Sequence, residues 1–225
     1  MIKKIEILGI SIDNYTVREA MLCIENFFNS TSMNTVESIS MEMLVCAEND
    51  ETLRECIEEL DLAIINEKEI LQAAKVTSAQ RIRETTEKKF FKEFIKRVIR
   101  NNQTVYLFAN SRQDIERLEK FLEENDCGKM KITGNSVVEE CKGDYDNLVN
   151  DINIESPDII LSVLPSPQQE YFLMENKAKI NAQIWYGLGT DYDKMSGISS
   201  IRRWIRKIKH KTMLHRMLSK YHQGE

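Results

Sequence analysis

Residues 157–197 read PDIILSVLPSPQQEYFLMENKAKINAQIWYGLGTDYDKMSG. Two apolar runs of strand length, 158–163 and 183–186, flank a segment of helix length, 171–179. A strand, a crossover helix and a second strand predict parallel neighbours in one sheet. Each run ends in a polar loop, Pro165-Ser166-Pro167-Gln168-Gln169-Glu170 and Gly187-Leu188-Gly189-Thr190-Asp191-Tyr192-Asp193. Open α/β sheets bind ligands at the carboxyl ends of their strands, so these two loops are the first candidates for a site.

The same alternation runs through the preceding chain. Strands are predicted over 5–10, 35–40, 61–65, 104–108 and 129–133. Thr16 and Glu19 fit a capping box, and the helix they open carries Val17, Met21, Ile24 and Phe28 on one face. Residues 42–57 are predicted helical with a break at Asn49-Asp50, and 67–74, 111–124 and, weakly, 144–153 are further helices. Phe90, Phe91, Phe94, Ile95, Val98 and Ile99 mark one apolar helical stripe. Residues 75–86 are polar and aperiodic and are predicted to be a loop. The reading is an α/β chain with a mostly parallel sheet flanked by helices.

At 225 residues and 42% hydrophobic the chain suits one domain with a short appendage. Five scattered cysteines (Cys23, Cys46, Cys56, Cys127, Cys141) form no CxxC pair, which predicts free thiols in a reducing cytoplasm and no zinc site. No apolar window is long enough to span a membrane, and the start does not read as a signal peptide. The charge is segregated. Residues 198–224 hold eight Lys or Arg and no acid, while 1–197 hold 23 basic and 35 acidic residues, a balance near −12. The boundary is expected at Gly197-Ile198-Ser199-Ser200, giving a main domain over 1–197 and an appendage over 198–225. Ile201, Trp204, Ile205 and Ile208 share one helical face of that appendage, and Leu214, Met217, Leu218 and Tyr221 repeat the pattern. Such a basic amphipathic segment predicts contact with an anionic membrane surface through 201–221, docking on the acidic body, or self-association as a homo-oligomer. The acidic body argues against nucleic acid.

The sequence has neither GxGxxG nor GxxxxGK[ST], and its three histidines (His210, His215, His222) all lie in the appendage. Acid–base chemistry in the main domain therefore falls to Asp, Glu, Lys, Tyr or Cys. Asp191 and Asp193 have the spacing of a metal–diphosphate pair, but that triplet is common by chance and a solvated acidic loop is its ordinary reading. Gln169 and Glu170 after two prolines read either as plain helix-start residues or, for Gln169, as an amide that binds a sugar or base.

Taken together, these residues resemble the WecG/TagA/CpsF family, glycosyltransferase family 26. Ile7-Leu8-Gly9-Ile10-Ser11-Ile12-Asp13 with Thr16 looks like its opening element, Pro167-Gln168-Gln169-Glu170-Tyr171-Phe172 like its PkQE-wi motif, and 187–197 like its GvG--fD--aG motif. The arginine of its eRv motif falls on Arg81, and Trp204 with the basic residues after it resembles its C-terminal appendage. The resemblance implies a Rossmann-like fold and inverting, metal-independent transfer of an N-acetylhexosamine, N-acetylmannosamine-like, from a UDP-sugar to a lipid-linked acceptor at the inner face of the cell membrane. It implies no cofactor beyond the donor. Ser38, Ser40, Arg81, Gln168, Glu170, Gly187, Gly189, Asp191 and Asp193 become substrate-binding candidates, and Asn66, Glu67 and Gln169 catalytic ones.

The departures are specific. The family's aspartate, its proposed base, falls on Asn66, which has no basic atom, and the following glycine on Glu67. Its T-x-N element becomes Ser38-Ile39-Ser40, and two glycine-rich turns become Phe108-Ala109-Asn110 and Val163-Leu164-Pro165-Ser166-Pro167. Two expectations follow: an active transferase in which Glu67 takes the hydroxyl proton, or a non-catalytic relative that binds a sugar nucleotide or scaffolds partners.

Overall fold

The computed structural model describes residues 4–125, 127–141, 145–190 and 192. Strands β1 (Lys4–Ile7) and β2 (Ile10–Asp13) form an antiparallel hairpin. It turns at Leu8 and Gly9, both at positive φ (54° and 73°), which splits the single strand predicted over 5–10. Asp13 ends the hairpin and accepts the Ala63 N–H at 3.0 Å, tying it to the main sheet. Then follow α1 (Val17–Phe27), β3 (Asn34–Ile39), α2 (Met41–Ala47), α3 (Glu51–Glu58), β4 (Leu62–Ile65), α4 (Lys68–Ala73), α5 (Ala79–Thr86) and α6 (Lys89–Arg100). The chain continues through β5 (Thr104–Ala109), α7 (Arg112–Glu124), β6 (Lys131–Val137), α8 (Asp146–Glu155), β7 (Ile159–Ser162), α9 (Gln168–Asn176) and β8 (Ile184–Gly187).

The six strands β3 to β8 form one parallel sheet in the order β4-β3-β8-β7-β5-β6. The chain builds one edge with β3 and β4, crosses to build the other with β5 and β6, and fills the middle last with β7 and β8. The outgoing loops of β3, β8 and β7 consequently meet at the centre of the carboxyl edge, the switch point of the topology.

Both faces of the sheet are covered, as the apolar strands require. On one face α1, α6 and α7 bury Phe94, Val98, Leu107, Leu161 and Tyr186. The predicted stripe of α6 supplies this layer, with the Phe94 ring 5.1 Å from that of Tyr186 and edge-on to it. Burial of each such side chain contributes about 1.5–3 kcal/mol. On the other face α8 and α9 cover Tyr106, Phe108, Ile160 and Trp185. The hairpin, α2, α3 and α4 close a third cluster beside β4.

Two local predictions resolve clearly. Helices α2 and α3 are separate, with Asp50 accepting the Leu53 N–H at 3.0 Å to cap the second. Residues 75–86 are not all loop, because α5 occupies Ala79–Thr86, capped by Ser78. Its buried residues are Arg81, Glu84 and Thr85, so a polar face is buried and no apolar period announces the helix.

Candidate functional site

The loops after β3, β7 and β8 enclose a cleft of about 340 Å³. Its lining includes Ser38, Ser40, Asn66, Gln169, Glu170 and Gly189 of the sequence candidates, together with Glu37, Glu42, Arg117, Ser166 and Thr190. The size is that of a small-ligand site.

The floor is set by strand register. Glu37 of β3 lies opposite Gly187 of β8, so both face the same side of the sheet. The Ser166–Pro167 peptide is cis, and α9 begins at Gln168, earlier than the predicted 171. Gln169 and Glu170 thus stand in the first turn of a helix aimed at β3 and β8. Gln169 Nε2 donates to Glu37 Oε1. The amide passes directly over Gly187, where a Cβ would stand 2.2 Å from Gln169 Nε2. Gly187 is therefore a seat for Gln169, whereas Gly189 supplies a turn at φ +67° on the cleft rim. Ser38 faces the opposite side, its Oγ 3.3 Å from the Tyr186 hydroxyl, and burial holds that phenol well above its ordinary pKa.

Glu37, Gln169 and Glu170 are 3%, 1% and 2% exposed. Glu37 Oε2, Gln169 Oε1 and both Glu170 carboxyl oxygens have no donor among the described residues. Burial, and then the neighbouring Glu170 carboxyl, push Glu37 well above the usual carboxylate range. Burial raises Glu170 too. Burial and the repulsion between the two neighbouring carboxylates both favour the protonated form of Glu37.

Other candidates are placed elsewhere. Asn66 reaches the cleft edge, but Lys88 Nζ donates to its Oδ1 at 2.6 Å and also to its backbone oxygen. Glu67 does not line the cleft. Its Oε1 accepts the Met41 N–H at 3.2 Å and caps α2 from outside. Arg81 also lies outside it, beside a hollow of only about 30 Å³ that it shares with Asn66, Lys88 and Glu84. Its Nε donates to Asn14 Oδ1 at 3.0 Å and its guanidinium pairs with Glu84 at 3.4 Å. Gln168 donates to Asn110 Oδ1 at 3.1 Å, and the Ser40 hydroxyl accepts the Met43 N–H at 3.2 Å. Asp191 and Asp193 lie outside the described residues, as do the domain boundary and the appendage. Tyr192, between those aspartates, is buried with its ring 5.3 Å from Phe121. Among the described residues no group of three or more His, Cys, Asp or Glu could hold a metal ion, and no helix is long and apolar enough to cross a membrane.

Sequence reasoning missed Glu37 and Arg117. Glu37 had a signal: an acid inside Val36-Glu37-Ser38-Ile39, a run otherwise suited to a buried central strand. Arg117, on the helix α7, had none, because its neighbours in sequence read as an ordinary solvated face.

A family model described as the Glycosyl transferase WecG/TagA/CpsF family matches residues 5–223, nearly the whole chain. The chain belongs to this family. No curated protein matches its sequence. Membership in the WecG/TagA/CpsF family accords with the parallel sheet and with a cleft formed by the PQQE and GLG loops, the two segments on which the resemblance rests.

Proposed function

We propose that this chain is a glycosyltransferase that moves an N-acetylhexosamine, N-acetylmannosamine-like, from a UDP-sugar to a lipid-linked acceptor in the synthesis of a cell-surface polymer. The observation that carries the reading is the cleft at the switch point, where Ser38, Ser40, Gln169 and Glu170 converge with the Gly189 turn. The buried acceptor atoms of Glu37, Gln169 and Glu170 suit a ligand rich in hydroxyl and amide N–H donors, as an N-acetylated sugar is. Arg117, paired with Asp114 at 3.3 Å, is the basic side chain on the rim that would meet a diphosphate. No cofactor beyond the donor is invoked. The segment 201–221 would hold the chain at the inner face of an anionic membrane, and co-sedimentation with anionic against neutral vesicles tests that part.

Titration calorimetry with UDP, UDP-N-acetylglucosamine and UDP-N-acetylmannosamine tests the donor site. Binding is expected for the nucleotide sugars, and absence of binding at millimolar ligand would reject both an enzyme and a sensor. The second reading, a non-catalytic subunit that binds a sugar nucleotide, is favoured by two contacts: Lys88 donates to Asn66, and Glu67 is committed to the α2 backbone. Binding without transfer to a lipid-linked acceptor would select it.

A further inference from the structure

We infer that Glu37 and Glu170 act as one proton-sharing carboxyl pair and receive the proton of the attacking hydroxyl in the cleft. This rests on the transferase reading above. Among the described residues that line the cleft, the ionisable side chains are Glu37, Glu42, Glu170 and Arg117. Arginine does not give up its proton, and Glu42 is only partly buried at the start of α2. Histidine is absent from positions 1–209. What is left is a pair of carboxyls, nearly fully buried, with Glu37 bonded by the Gln169 amide and both residues lining this cleft and a second cavity of about 210 Å³ behind it.

The geometry explains why the pair is suited to the step. Gln169 donates to Glu37 Oε1, which leaves Glu37 Oε2 and the two Glu170 oxygens for one shared proton and for donors brought by a ligand. Desolvation makes the ionised oxygen a stronger base than an exposed carboxylate. Charged and ionisable groups face the pair from several packed elements: Glu55 on α3, Glu59 just after it, Arg117 on α7 and Tyr171 on α9 stand with those that follow. Asp50 caps α3, Cys46 and Glu42 stand on α2, Cys56 on α3, and Lys177 follows α9. The acids among them add to the repulsion that keeps the proton on the pair.

In the step, the acceptor hydroxyl oxygen forms a bond to the anomeric carbon. The bond from that carbon to the nucleoside diphosphate oxygen breaks, and its electron pair leaves on the phosphate. The hydroxyl proton passes to the unprotonated oxygen of the pair and is then released to water. No oxidant or further co-reactant is needed.

Infrared difference spectroscopy on the full chain tests this, with and without UDP-N-acetylglucosamine, beside Glu37→Gln, Glu170→Gln and, as control, Glu67→Gln. A protonated-carboxyl band is expected at neutral pH. Either pair variant removes it, Glu67→Gln leaves it, and the nucleotide sugar shifts it. In a transfer assay Glu37→Gln lowers turnover roughly 10²-fold or more while binding persists, and the acid limb of the pH–rate profile moves. A wild-type chain without the band, a band surviving in both pair variants, or unchanged turnover in Glu37→Gln overturns the inference. If the band behaves as expected but calorimetry finds no nucleotide sugar bound, the proton-sharing pair stands and the transferase reading falls.

Discussion

At the end of β4 Asn66 accepts from Lys88, and beside it Arg81 donates to Asn14 and Glu84 while Glu84 also accepts from the Val17 N–H and Gln80. At the ends of β3 and β8, three strands' width from that network at most, Glu37, Gln169 and Glu170 leave four acceptor atoms without a donor among the described residues. Both regions are polar and at least partly buried, but of the first only Asn66 reaches the cleft. The difference is satisfaction. A closed network of donors and acceptors stabilises a fold and offers nothing to a ligand, whereas buried acceptors in surplus cost free energy that only a proton or a ligand's donors can offset. Asn66 and Arg81 belong to the first kind, Glu67 is bonded to the α2 backbone, and the surplus acceptors lie around Glu37.

The largest expected effect breaks the closed half. Arg81→Ala removes the partner of Glu84, with side chains about 10% exposed on both sides. Glu84 keeps the Val17 N–H and the Gln80 amide, so the cost is at the lower end for a broken buried pair, about 3 kcal/mol in urea unfolding. Nucleotide affinity of the folded fraction is expected to persist, and its selective loss would move Arg81 into the site. Next, Gly187→Ala drives a methyl into Gln169 and costs about 1–3 kcal/mol. It also unseats the amide from Glu37, so sugar-nucleotide binding falls with stability. Stability loss without any change in binding would show that Gln169 is packing only.

The third comparison uses pH. The folded Glu37 carboxyl ionises at higher pH than the unfolded one, so stability is full below the ordinary glutamate value of about 4.5 and declines as pH rises toward the raised folded value. Glu37→Gln removes that decline. At neutral pH the variant is expected to melt higher than wild type, by roughly 2–4 °C for each kcal/mol gained, with the gap closing in acid. Equal melting curves across the pH range would mean that no proton is retained. The smallest effect is expected from Asn66→Asp. Facing Lys88, the new carboxylate forms a partly buried ion pair worth about 1 kcal/mol or less, and it is expected not to raise turnover. A rise of roughly 10²-fold would return the proton-accepting role to the end of β4.

Much of the fold was legible. The capping box of α1, the break before α3 and the stripe of α6 all rest on short-range rules, and each forms where the pattern predicts it. Helix α5 was not legible because its buried face is Arg81, Glu84 and Thr85, and polar burial has no hydrophobic period. The site was legible by halves. Gln169, Glu170 and Gly189 were readable from motif spacing as residues that line the cleft, whereas Gly187, read as a substrate contact, lies under Gln169 instead of on the lining, which depends on which side chain crosses above it.

From the sequence alone follow the alternation of strands and helices, the charge segregation, the family and the loops that carry the site, because each is written in spacing along one chain. The tertiary structure alone decided which polar residues consume one another and which are left over. That distinction depends on register, which sets Glu37 opposite Gly187, and on the angle at which α9 enters, which brings Gln169 and Glu170 against it across 132 positions of chain. Hydrogen-bond satisfaction is a property of packed neighbours in space, so the glutamate that reads as an anomaly in a strand shows as a carboxyl pushed toward its protonated form only once its buried neighbours are known.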